Sequence, residues 1–108
     1  MARRVARGDI WLYRFAPPDK RRPVLVLSRE AALVRIRTAI VAPITSTIRG
    51  LPSEVRLGVE QGLKGECAAN LDHLMTVPQD DLRLWVGRMG DECMREVCAA
   101  AEVALGCR

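Results

Sequence analysis

Apolar and polar positions alternate on a short period through most of the chain and change to a helical period only near its end. Residues 9 to 15, Asp-Ile-Trp-Leu-Tyr-Arg-Phe, are rich in aromatic and β-forming side chains, and Ala16, Pro17, Pro18 and Asp19 predict the turn that stops them. Residues 23 to 28 are nearly all apolar, the pattern of a strand buried on both faces, with Pro23 expected to open it. Residues 30 to 35 suit a helical turn or an extension, and the β-branched run over residues 38 to 44 predicts a third strand. Gly50 and Pro52 mark a loop over residues 47 to 53. Short strands then follow at residues 54 to 57, 66 to 70, 74 to 77 and 85 to 89, separated by a turn at 61 to 65, by Pro78 and by a helical turn at 80 to 84. The last element has a different period. Met94, Val97, Cys98, Ala101 and Leu105 fall on i, i+3, i+4, i+7 spacing, with Asp91 as candidate cap and Gly106 as stop.

Many short strands and one long amphipathic helix predict a β-dominated α+β fold, a small, strongly curved SH3-like β-barrel with a C-terminal helix. A length of 108 residues fits a single domain over positions 1 to 108. Apolar residues at 49% and charged residues at 28% exclude a disordered or low-complexity chain. No apolar run approaches the ~20 residues of a membrane helix, and the basic start is followed by Gly-Asp-Ile-Trp rather than a signal-peptide core, so no membrane association and a cytoplasmic location are expected. Cys67, Cys93, Cys98 and Cys107 form no C-x-x-C pair and have no zinc-like histidine spacing, which points to reduced, structural thiols and to no metal site or cofactor.

Charge changes the picture. Residues 1 to 49 hold eleven Lys or Arg against three Asp or Glu, and residues 50 to 108 hold six against ten, a split of +8 and −4. Cations gathered in one half suit a polyanion, since Lys and Arg contacts to phosphates supply most sequence-independent nucleic-acid affinity. A basic surface kept for solubility has the same signature.

Three segments decide between these. GDIWLYRF at 8 to 15, RRPVLVLS at 21 to 28 and AIVAPITSTI at 39 to 48 occur in the order and spacing of the MazF/PemK/Kid toxins, with fainter matches in GLKGECAANLDHLMTV and VGRMGDECMREVCAAAEVALGC. The chain resembles that family from Gly8 onward. The resemblance implies a MazF/CcdB-type barrel that forms a homodimer, cuts single-stranded RNA at short sequences without a metal, and is silenced by a cognate antitoxin protein. It also implies a catalytic pair, Arg22 before the proline of the second strand and Thr45 at the end of the third. RNA cleavage by its own 2′-hydroxyl needs in-line positioning and stabilised charge on the phosphorane, and an arginine fork with a hydroxyl donor can supply both. The plain alternative for Thr45 is a strand-end hydroxyl bonded to backbone.

Lys20, Arg21, Ser28, Ser46, Thr47 and Arg49 adjoin that pair in sequence and are candidate RNA contacts, as are Asn70, Asp72 and His73 in the segment that approaches the substrate groove in the family. For Asn70 and Asp72, turn hydrogen bonds are an equal alternative; for His73, the only histidine, it is simple surface exposure. Asp80 and Asp81 stand where a helical turn begins and need no metal to explain them. The loop before Arg22 is short and proline-stiffened, with Arg21 where relatives often carry an acid. Two other functions fit the barrel: a CcdB-like gyrase poison acting through its terminal helix, against which Arg22 and Thr45 argue, and a nucleic-acid-binding barrel that does not cut.

Overall fold

A computed structural model describes residues 3–17 and 20–107; the predicted turn positions 18 and 19 lie outside it. Seven strands form, β1 (Asp9–Arg14), β2 (Arg21–Val26), β3 (Thr38–Thr45), β4 (Glu54–Leu57), β5 (Cys67–Asn70), β6 (Met75–Pro78) and β7 (Leu84–Arg88), with a one-turn helix α1 (Glu30–Leu33) and a long helix α2 (Asp91–Leu105). Short 3-10 turns occupy Val59–Gln61, Leu71–His73 and Gln79–Asp81. The sheet runs β4-β5-β3-β2-β1-β7, and β3 also pairs with β6. Every pairing is antiparallel. β3 is the hub: one edge carries β2, and the other is shared by β6 on its first half and β5 on Ile44 and Thr45.

Strand alternation feeds two separate cores. Ile10, Leu25, Ala42 and Ile44 point to the side covered by α2, where Val55, Leu57, Leu71, Met94, Val97 and Ala100 complete a cluster. Their neighbours Trp11, Val24, Val26, Ala39 and Val41 point to the other side and pack with Val5, Leu33, Val77 and Leu82. This is why residues 24 to 26 read as uninterrupted apolar: all three are 0% exposed. Asp9 is buried among these groups with its carboxylate satisfied by the Ala6 amide (2.9 Å) and the indole N–H groups of Trp11 (3.2 Å) and Trp85 (3.4 Å). Trp85 itself is 39% exposed, and the Arg3 guanidinium lies 3.8 Å from its ring centroid.

The barrel closes without a strand pairing. β4 and β7 are the two ends of the sheet path, and the turn that follows β4 lies backbone to backbone against β7. A Cβ at Gly87 would stand 1.9 Å from the Gln61 carbonyl oxygen, and one at Gly62, whose φ is +94°, 2.5 Å from that of Val86. Only glycine admits that approach.

The elements match the expected β-dominated α+β barrel, with local corrections. β2 begins at Arg21, and Pro23 sits inside it; its missing donor is tolerated because pairing with β3 begins only at Val24. Gly90, not Asp91, is the N-cap of α2, and Asp91 with Glu92 fills the first turn, where negative charge suits the helix dipole. The buried face of α2 is rotated from the predicted one: Met94, Val97 and Ala100 are buried and Cys93, Ala101 and Ala104 pack beside them, whereas Cys98 is exposed and Leu105 is 64% exposed. All four cysteines are free, with Cys67 and Cys93 partly buried and Cys107 exposed. No described helix is long and apolar enough to cross a membrane.

Candidate functional site

The last residue pair of the β2–β3 ladder is Val24 opposite Pro43. Continuing that register by two residues sets Arg22 opposite Thr45, on the sheet face turned away from α2. Arg22 therefore stands where β2 has left β3 while still paired with β1, and is exposed, yet is anchored by three fully buried residues just downstream. Thr45 is still held on its other edge, opposite Ala68 of β5. Two residues along β5 from Ala68, on the same face, Asn70 pairs with Glu54 of β4.

A groove of about 300 Å³ opens over this row, lined by Arg22, Pro43, Ile44, Thr45, Thr47, Arg49, Glu54, Asn70 and His73. Thr45 Oγ1 accepts the Thr47 amide at 3.1 Å, so part of the plain alternative is realised: the hydroxyl does bond backbone. It does so as acceptor, which leaves its own proton available to donate. Asn70 Oδ1 accepts the Asp72 amide at 2.9 Å, which places Nδ2 3.2 Å from His73 Nδ1. A donor there suits the imidazole tautomer in which Nδ1 accepts. Both turn bonds and groove lining thus hold for Asn70.

Glu54 was not among the expected site residues. Its Oε1 accepts the amides of Arg49 and Leu51, both at 3.1 Å, which folds the loop after β3 back over the groove and fixes the root of Arg49. The signal was a carboxylate three residues after Leu51 in a Gly/Pro loop, a spacing that lets a side chain cap nearby amides. Ser53, also missed, is buried and donates its hydroxyl to Asp72.

Of the expected contacts, Arg22, Thr45, Thr47, Arg49, Asn70 and His73 meet in the groove. Others do not. Ser28 is buried, and its Oγ accepts the Ile40 amide at 2.8 Å, a structural bond. Asp72 is taken up by Ser53, Ser46 is exposed beside the groove without lining it, and Lys20 is exposed in the loop before β2. Arg21 points to the opposite face and lines a different cavity. Asp80 and Asp81 lie in the 3-10 turn before β7, as the helical-turn reading expected. Among the described residues no three His, Cys, Asp or Glu side chains converge as metal ligands would.

Comparison with known proteins identifies the family. The chain is 48% identical over 105 residues to the Mycobacterium tuberculosis protein named probable endoribonuclease MazF5, covering 94% of each. It is 35% identical over 102 residues to the probable endoribonuclease MazF2 of the same species, with 94% and 98% covered. Among solved structures, M. tuberculosis toxin MazF-mt6 superposes with a TM-score of 0.82 at 32% identity, over 91% of this chain and 96% of that one. A sequence profile described as PemK-like, MazF-like toxin of type II toxin-antitoxin system matches residues 6–105. The chain therefore belongs to the PemK-like, MazF-like family of type II toxin–antitoxin systems.

Proposed function

We propose that the protein is a sequence-selective, metal-independent endoribonuclease that cleaves single-stranded RNA and so arrests translation and growth. The observation that carries this reading is the convergence of Arg22 and Thr45, opposed across two strands, in one groove with Thr47, Arg49, Asn70 and His73. The names of the relatives support the activity. In this reading the 2′-oxygen bonds to phosphorus as the bond from phosphorus to the 5′-oxygen breaks, leaving a 2′,3′-cyclic phosphate and a 5′-hydroxyl. The 2′-hydroxyl proton is lost to solvent, and the departing 5′-oxygen takes one up. Arg22 grips the nonbridging oxygens through its rigid fork, and the Thr45 hydroxyl donates to the charge that builds on them. Arg49, Asn70 and His73 present donors to base edges or flanking phosphates, which makes this side of the groove the seat of sequence choice.

Residues 1 to 108 act as one toxin domain in the cytoplasm, as a homodimer, and a cognate antitoxin silences it. An antitoxin segment with acidic and apolar residues would occupy the cationic groove and compete with RNA. The test is mass spectrometry of the ends produced from a long defined RNA in excess chelator, by the natural protein and by Arg22→Ala of verified fold. Cyclic phosphate ends at a recurring short sequence, lost in the variant, support the enzyme. Undiminished cutting by the variant, or none by the natural protein on a broad RNA set, removes it.

A further inference from the structure

A second cationic cavity, of about 520 Å³, shares no lining residue with the cleavage groove. It opens where β7 stops. The last β1–β7 residue pair is Leu12 with Leu84, so beyond it Tyr13 and Arg14 form an open strand edge. Arg14, Arg21 and Arg83 line the space with Leu12, Tyr13 and Leu84, and Asp81 is the one carboxylate among them. Arg14 and Arg21 are opposed in the β1–β2 register. Like charges directly opposite each other destabilise a sheet. A third arginine beside them makes this corner of the barrel poorly explained by stability and well explained by an anion.

Tyr13 stands between Arg22 and the second cavity in the strand register. It is the register partner of Arg22 and so shares the groove face, and it also lines the second cavity. Across the sheet the order is Thr45, Arg22, Tyr13, then the open edge with Arg14 and Arg83, with neighbouring strands about 4.8 Å apart. Arg14 and Arg21 point to the other face, so a single strand leaving the Arg22 site reaches them by passing over Tyr13 and turning round the edge of β1 that β7 leaves uncovered. Combining a cationic track with an aromatic platform is how proteins hold single-stranded nucleic acid without reading its sequence.

We propose that the cavity at the open edge of β1 is a second phosphate subsite, which binds the backbone of substrate RNA flanking the scissile linkage and is formed by Arg14, Arg21 and Arg83. It rests on the ribonuclease reading for its ligand, but its binding is measurable apart from cutting. Fluorescently labelled RNA with the cleavage sequence at its centre is compared with a strand trimmed to that sequence alone, using natural protein and an Arg14→Ala, Arg83→Ala double variant. The double variant is expected to bind the long strand about tenfold more weakly and to lower the slope of log affinity against log salt by about 1.4, two contacts at about 0.7 each. Affinity for the trimmed strand and kcat should not change. Lys at both positions should restore most of the slope. If the double variant does not fold, Arg14→Gln and Arg83→Gln are measured singly, each expected to lower the slope by about 0.7. Equal losses on long and trimmed strands, or an unchanged slope, overturn the subsite. So does a variant that loses only its affinity for an acidic antitoxin peptide, since the cavity would then dock protein. A natural protein that binds the long strand through these arginines but cuts nothing keeps the subsite and removes the enzyme.

Discussion

The two halves of β2 are opposites in burial. Val24, Leu25 and Val26 are sealed between two cores, with β1 on one side and β3 on the other, while Arg21 and Arg22 are exposed and have outrun the β3 ladder. The buried half makes the strand rigid, and the exposed half inherits that rigidity without being covered. The role proposed for Arg22 needs this combination: a fixed backbone so that its fork is aimed, and an open side so that RNA can reach it.

Substitutions can pull these halves apart. Leu25→Ala should lower unfolding free energy by about 2–5 kcal/mol, read by urea titration, because it leaves a cavity at the centre of the helix-side core. Arg22→Ala should do the opposite, leaving the urea midpoint unchanged while kcat on RNA falls by about 10²–10³, the loss typical when one donor to a developing oxyanion is removed. A parallel loss of stability in Arg22→Ala would show that the two halves are not separable. Gly87→Ala tests whether the far side of the barrel matters as much as the anchor. The methyl would strike the Gln61 carbonyl, and a destabilisation of about 1–3 kcal/mol is expected by the same titration. Glu54→Gln has the mildest effect. It weakens the acceptor for the Arg49 and Leu51 amides by about 1 kcal/mol, so KM should rise several-fold with kcat nearly constant in steady-state assays of RNA cleavage.

What the sequence reveals about these regions follows from the physics of each. β2 is legible because burial on both faces leaves an unbroken apolar run, and β3 because β-branched residues dominate it. α2 is legible in extent, since Gly106 adopts the left-handed cap that stops it. Its inward face is legible in Met94, Val97 and Ala101 but not in Cys98 and Leu105, which outrank alanine in hydrophobicity, whereas close packing against β4 and the turn at Leu71–His73 favours the small Ala100 and Ala104. In the groove, Arg22 and Thr45 stand out through the strand motifs that carry them. Glu54 and Ser53 do not, because their partners are loop amides and a carboxylate nineteen residues away in sequence, which no periodicity reports. Ser28 shows the reverse error: a hydroxyl at a strand end beside a basic segment suggests substrate, and the Ile40 amide claims it.

The glycine contact that closes the barrel has a consequence for how the molecule breathes. Strand ladders elsewhere in the sheet are zipped by backbone hydrogen bonds, but at this seam the two ends of the sheet touch without one among the described residues. Excursions from the native state should begin there, with β7 loosening from Gly62 before β2 or β3 is disturbed. In deuterated solvent the amides of β7 should exchange ahead of those at residues 24 to 26, so the barrel can open along one line while the strand that aims Arg22 stays closed.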